Sequence, residues 1–236
     1  MDDLDLTFDE NLVKNKLIPC KSSLRISLND DFFTSSAVLF SIIPYKNKPY
    51  DLILIHRTNK GTRHKGEMSF PGGKYESQFD KSLEDTALRE AEEEIGVPRE
   101  NIRIIGCLDD FPTMTKFIIT PFIGIIDKNQ KLIKDPREVQ KIVKIPIDFF
   151  INKTNFREQA VDINGNMFPV FYFNYVDKEN GNKYTVWGAT AYMIANFIER
   201  VYEFDLSELG LKRFKIDKMK YVKEYIKHRN HINKEF

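Results

Sequence analysis

Two near-continuous apolar runs, residues 37–45 and the LILIHR segment ending at Arg57, are separated by the turn-like KNKPYD. Runs of that length, bounded by turn residues, predict adjacent strands joined by a hairpin or loop. Further short apolar runs predict strands over residues 102–107, 117–126, 141–145 and 170–175. Between them the period changes from two to a helical one. Ala87, Leu88, Ala91 and Ile95 share one arc, Ser82 and Asp85 are spaced as a capping box, and Gly96 and Pro98 stop the pattern. These features predict a helix over residues 82–95. A second helical pattern covers residues 189–202, and a short one through Phe8, Leu12, Val13 and Leu17 runs up to Pro19. Strands interleaved with two long helices predict the α/β class, with a mixed β-sheet sandwiched between helices.

A chain of 236 residues with 42% hydrophobic content can bury one sizeable core. The texture divides it into an N-terminal helical lead-in (1–35), a main domain (36–205) and a basic helical C-terminal extension (206–236). In that extension Ile216, Met219, Val222, Tyr225 and Ile226 keep helical spacing among many lysines, as in an amphipathic surface helix. Apolar runs stop far short of the roughly 20 residues of a membrane span. The acidic start MDDLDLTFDEN fits neither a secretory nor a transit peptide, so a cytoplasmic location is expected. Cys20 and Cys107 stand far apart without a C-x-x-C arrangement, which predicts two reduced thiols.

Charge alters the picture locally. Lys and Arg number 36 against 35 Asp and Glu, yet Glu84, Glu90, Glu92, Glu93 and Glu94 crowd into one helix beside Arg89. At about 100° per residue, Glu90, Glu93 and Glu94 fall on one arc at the edge of the apolar stripe. Glutamate is a good helix former, and a bare acidic surface helix is common. Here, however, Pro71-Gly72-Gly73 precedes the helix and lets backbone approach closely. Carboxylates without thiolates or paired imidazoles suit hard cations, Mg²⁺ or Mn²⁺, which act on substrate phosphates.

The residues from Gly73 to Val97 resemble the Nudix box, G-x5-E-x7-R-E-U-x-E-E-x-G-U with U aliphatic, through Gly73, Arg89, Glu90, Ala91, Glu93, Glu94, Gly96 and Val97. The interval from Gly73 to Arg89 is two residues longer than the standard one, and Lys81 stands where the mid-box Glu would be. Asp80 and Glu76 are the two candidates to replace it. The preceding HRTNKGTRHKGEMSFPGGKYE resembles the corresponding segment of coenzyme A diphosphatases, with Arg57, His64, Gly66, Phe70, Pro71, Gly72 and Gly73 aligned. Thr62 occupies the usual Arg position and Arg63 sits one place away; an Asp nine residues before Arg89 is itself a feature of that subfamily. LDDFPTMTKFIITPFIGII, DPREVQKIVKIP and VWGATAYMI extend the resemblance over most of residues 36–200.

The resemblance implies a Nudix fold and metal-dependent hydrolysis of a pyrophosphate bond in a small-molecule nucleotide. The expected substrate is coenzyme A, giving 4′-phosphopantetheine and adenosine 3′,5′-bisphosphate. Glu90, Glu93 and Glu94 would hold Mg²⁺ or Mn²⁺, Glu90 or Glu93 would act as general base, and Arg89 would orient a box glutamate. Arg57, Arg63, His64, Gly72 and Gly73 would bind substrate. Glu138 is a further candidate base, whereas Trp187 reads as core packing. The alternatives are ADP-ribose, NADH, dinucleoside polyphosphates or nucleoside triphosphates as substrate, and, from another class, a non-catalytic nucleotide sensor or RNA-associated module. A homodimer is the assembly kept in view; membrane and nucleic acid are not the expected partners.

Overall fold

A computed structural model describes residues 5–58, 66–163, 165–207 and 219–232. In chain order the elements are α1 (Glu10–Lys16), β1 (Thr34–Ile43), β2 (Asp51–Arg57), β3 (Met68–Ser69), β4 (Gly72–Lys74), α2 (Leu83–Ile95), β5 (Ile102–Cys107), β6 (Phe111–Pro112), β7 (Phe117–Ile126), β8 (Val139–Pro146), α3 (Ile147–Ile151), β9 (Phe156–Ile163), β10 (Asn166–Val176), β11 (Lys183–Trp187), α4 (Gly188–Tyr202) and α5 (Met219–Ile232).

Strand β1 explains the layering. Successive side chains point to opposite faces, so its Val38, Phe40 and Ile42 join one buried cluster and its Leu39 and Ile43 another. The second cluster is closed by Ala91 and Ile95 of α2, with Ile53 and Ile55 of β2. The first is larger. It takes in Val13 of α1 and Leu17 at its C-terminal cap, Phe150 of α3, Phe171 and Phe173 of β10, Phe197 and Ile198 of α4, and Val222 and Ile226 of α5. The sheet is therefore apolar on both sides and helices cover both, as the near-continuous apolar runs require.

The main sheet runs β3-β2-β1-β7-β5, with β4 and β6 added on β1 and β7 and β8 on β2. It is mixed: β1 and β7 pair in parallel from Thr34↔Phe117 to Ile42↔Ile125, while β1–β2, β1–β4 and β2–β8 are antiparallel. A second sheet, β11-β10-β9, is antiparallel throughout. Among the described residues no helix is long and apolar enough to cross a membrane.

The cysteine expectation is overturned. Cys20 and Cys107 form a disulfide, their Cα atoms 5.1 Å apart across 87 residues of sequence. The segment after α1 runs back along β5, with a bridge between Ile18 and Cys107, so the fold brings together two thiols that sequence distance kept apart.

Candidate active site

Helix α2 starts where the sequence predicts and for the expected reason. Ser82 is extended and its Oγ accepts the Asp85 N–H at 3.1 Å; Gly96 closes the helix in the left-handed region at φ 67°. A Cβ at Gly96 would sit 2.8 Å from the Ile133 carbonyl, so glycine serves both the turn and the close approach of residues 133–135. The box is not reciprocal: the Asp85 carboxylate accepts from Lys81 N–H at 2.9 Å.

Arg89, buried at the helix edge, organises the glutamates. Its Nε and Nη2 donate to Asp80 Oδ1 and Oδ2 at 2.8 and 3.0 Å, a two-pronged pair. Nη1 donates to Glu90 Oε1 at 2.8 Å and Glu93 Oε2 at 3.3 Å, and Nη2 reaches the Lys74 carbonyl at 3.2 Å. Asp80 is thus the acidic partner that the lengthened loop supplies, while Glu76 turns its side chain toward Gln78. Thr86 Oγ1 and Glu76 N–H also donate to Asp80, each at 2.9 Å. The Arg89 guanidinium, first, with these donors, holds the Asp80 carboxyl down at about 2.

Strand β4 brings the glycines against the carboxylates. Gly72 N–H donates to Glu94 Oε2 at 2.8 Å, and a Cβ on Gly73 would fall 2.3 Å from Glu90 Oε1. A Cβ on Gly72 would instead strike backbone, 2.4 Å from the Ala37 carbonyl oxygen. From β2, Arg57 Nη1 donates to Glu94 Oε1 at 2.8 Å, and Nη2 lies 3.5 Å from Glu138 Oε2. Burial pushes Glu94 up to about 8 against the pull of Arg57 and the Gly72 N–H, and burial likewise raises Glu90. Glu93 is exposed, and together with Glu94, Asp135 and Glu138 it borders a hollow of about 110 Å³.

Of the sequence-predicted residues, Arg57, Gly72, Gly73, Arg89, Glu90, Glu93 and Glu94 come together. Arg63 and His64 lie outside the described residues. Among the described residues no three acidic, histidine or cysteine side chains close into a metal shell; Arg57 pairs with Glu94 and Arg89 with Glu90. The donor chemistry nonetheless fits a hard divalent cation: all donors are carboxylates, and after burial the neighbouring carboxylates add to the rise of Glu90 and Glu94.

A cleft of about 520 Å³ opens beside this site. Its lining includes Gly72, Gly73, Lys74 and Arg57, the polar Glu67, Thr113 and Thr115, and the apolar or aromatic Phe111, Met114, Phe168, Tyr192 and Tyr225. Trp187 also borders it and is 43% exposed, which corrects the core reading of that residue. Sequence could not place it, because its strand β11 carries no long apolar run.

A family model described as the NUDIX domain matches residues 35–164. An uncharacterized Nudix hydrolase NudL from Photorhabdus laumondii is 31% identical over 166 residues, 70% of this chain and 84% of the relative. The mitochondrial Nudix hydrolase 15 of Arabidopsis thaliana is 34% identical over 171 residues, 71% of this chain and 59% of the relative. A peroxisomal coenzyme A diphosphatase of Mus musculus is 30% identical over 155 residues, covering 66% and 65%. The chain thus spans less than two thirds of the length of the last two. With the matched region running from β1 to the end of β9 and enclosing the whole Gly73–Val97 constellation, the chain belongs to the Nudix hydrolase family.

Proposed function

We propose that this Nudix pyrophosphohydrolase cleaves the pyrophosphate bond of coenzyme A, releasing 4′-phosphopantetheine and adenosine 3′,5′-bisphosphate. The observation that carries the substrate is the cleft: it takes in Gly72, Gly73, Lys74 and Arg57 of the carboxylate site together with a mostly apolar lining. Coenzyme A has the matching layout, a pyrophosphate continued by a long uncharged arm. The mouse relative, a peroxisomal coenzyme A diphosphatase, points the same way.

Members of the family generally use divalent metals such as Mg²⁺ or Mn²⁺. Such an ion, when bound, neutralises phosphate charge and makes water a better nucleophile. Glu90, Glu93 and Glu94 would hold it. Arg89 keeps Glu90 and Glu93 on one side of α2 while Asp80 fixes Arg89 from behind. Glu90 or Glu93 would also act as general base toward the attacking water. Arg57 and Lys74 at the rim, with Arg63 and His64 from the segment joining β2 and β3, would pair with substrate phosphates. The missing Cβ at Gly73 leaves the Glu90 carboxylate room against β4.

Side-by-side kcat/KM values for coenzyme A, ADP-ribose, NADH and diadenosine polyphosphates test the substrate. Coenzyme A is expected to rank first. A higher value for any other substrate removes the coenzyme A assignment and leaves the pyrophosphatase chemistry standing.

A further inference from the structure

Trp187 is the only tryptophan in the chain and ends β11, one of the two outer strands of the small sheet. Its register partner on β10 is Tyr172, which also pairs with Arg157 on β9. The two rings lie nearly parallel, 8° apart in plane with centroids 6.2 Å apart, and the Arg157 guanidinium sits 4.8 Å from the Tyr172 ring centroid. Arginine, tyrosine and tryptophan thus form a stack that fixes the indole upright at the sheet edge. Along β10, Phe168 and Val170 share the face of Tyr172 by alternation, and both border the cleft with Trp187.

The far side of this edge leads to the carboxylates. β11 packs beside β3, and Thr190 Oγ1 donates to the Met68 carbonyl at 3.2 Å. Phe70 and Pro71 then join β3 to Gly72. Ser69, which also lines the cleft, carries a hydroxyl shielded from solvent and without a hydrogen-bond partner among the described residues. One cleft therefore holds the two glycines that lie against Glu90 and Glu94, an unsatisfied hydroxyl and a half-exposed indole.

From this juxtaposition we infer that the Trp187 indole is the platform on which the purine base of the nucleotide substrate stacks, an inference that rests on the nucleotide-pyrophosphatase reading above. A planar base gains from a ring already held upright by its neighbours, and the Ser69 hydroxyl offers a polar contact between the base and the glycines. A flexible amide arm would gain little from such a plane and has the apolar interior to occupy.

Because Trp187 is the sole tryptophan, its emission reports on the platform directly. The full chain is titrated in Mg²⁺ with adenosine 3′,5′-bisphosphate and, separately, with 4′-phosphopantetheine. Saturable quenching by the bisphosphate and none by phosphopantetheine is expected. Trp187→Ala should raise KM on the order of 10-fold with kcat little changed, and Trp187→Phe should recover most of that loss. Quenching by phosphopantetheine alone, or no quenching together with an unchanged KM in Trp187→Ala, overturns the inference. Quenching by the bisphosphate in a protein that leaves coenzyme A intact upholds the platform and removes the substrate reading instead.

Discussion

Asp80 and Arg89 meet through two near-parallel hydrogen bonds in a pocket closed by Thr86 and the Glu76 N–H. Removing the guanidinium leaves a buried carboxylate unpaired, so Arg89→Ala should cost about 3–5 kcal/mol in a urea melt, as well as releasing Glu90 and Glu93. The Asp80 carboxyl is held near 2 when folded against an ordinary 3.8, so the pair's stabilisation is present above pH 3.8 and lost as pH falls toward 2. Glu94 has the opposite sign. Its folded value of about 8 exceeds the ordinary 4.5, so the metal-free protein binds a proton that the unfolded chain has released. Melting temperature in EDTA should therefore fall between pH 4.5 and 8 and level off above; in Glu94→Gln that slope should flatten, and an unaltered slope would assign it elsewhere. Arg89, Glu90, Glu93 and Glu94 were legible through helical spacing and the box resemblance. The choice of Asp80 over Glu76 was not, because it depends on how residues 75–82 fold back over α2.

At the level of elements, α2 showed its limits in the sequence because caps and a sustained period both marked it, and α4 showed through its period alone. The runs behind β5 and β7 were long enough to identify strands outright. Strands β3, β4 and β6 could not be read: two or three residues each, they exist only through pairing with β2, β1 and β7. Strand β9, whose residues 157–162 lie largely exposed, lacks the apolar run by which the other strands were found. The pairing of β4 with β1 separates the roles of the two glycines. Gly72→Ala forces a Cβ onto the Ala37 backbone and should destabilise the fold by about 1–3 kcal/mol in the same melt. Gly73→Ala meets the side-chain end of Glu90 rather than backbone, so it should cost less in the melt than Gly72→Ala and lower Mg²⁺-dependent turnover by displacing the carboxylate from Arg89. Equal melting losses for both would contradict this division.

Across the whole molecule, both ends of the described chain enter one core. Val13 and Leu17 at the N-terminal side and Val222 and Ile226 of α5 share the cluster built on β1 and α4. Lys223 pairs with Asp30, and Lys227 lies 5.7 Å from the Phe32 ring, so part of the basic face of α5 is turned inward on the N-terminal segment. The spacing of Val222 and Ile226 announced an apolar stripe, but nothing in the sequence said which surface it covers. Ile226→Ala should cost about 2–5 kcal/mol, read by denaturant unfolding, since the side chain is fully buried. The site and the cleft meet on this one frame, and their joint purpose is read most directly from products. The full chain, incubated with coenzyme A and either Mg²⁺ or Mn²⁺, should release 4′-phosphopantetheine and adenosine 3′,5′-bisphosphate, with release abolished by EDTA and by Glu93→Gln or Glu94→Gln. Coenzyme A left intact with both metals, or cleaved equally well by the Gln variants, would contradict the assignment.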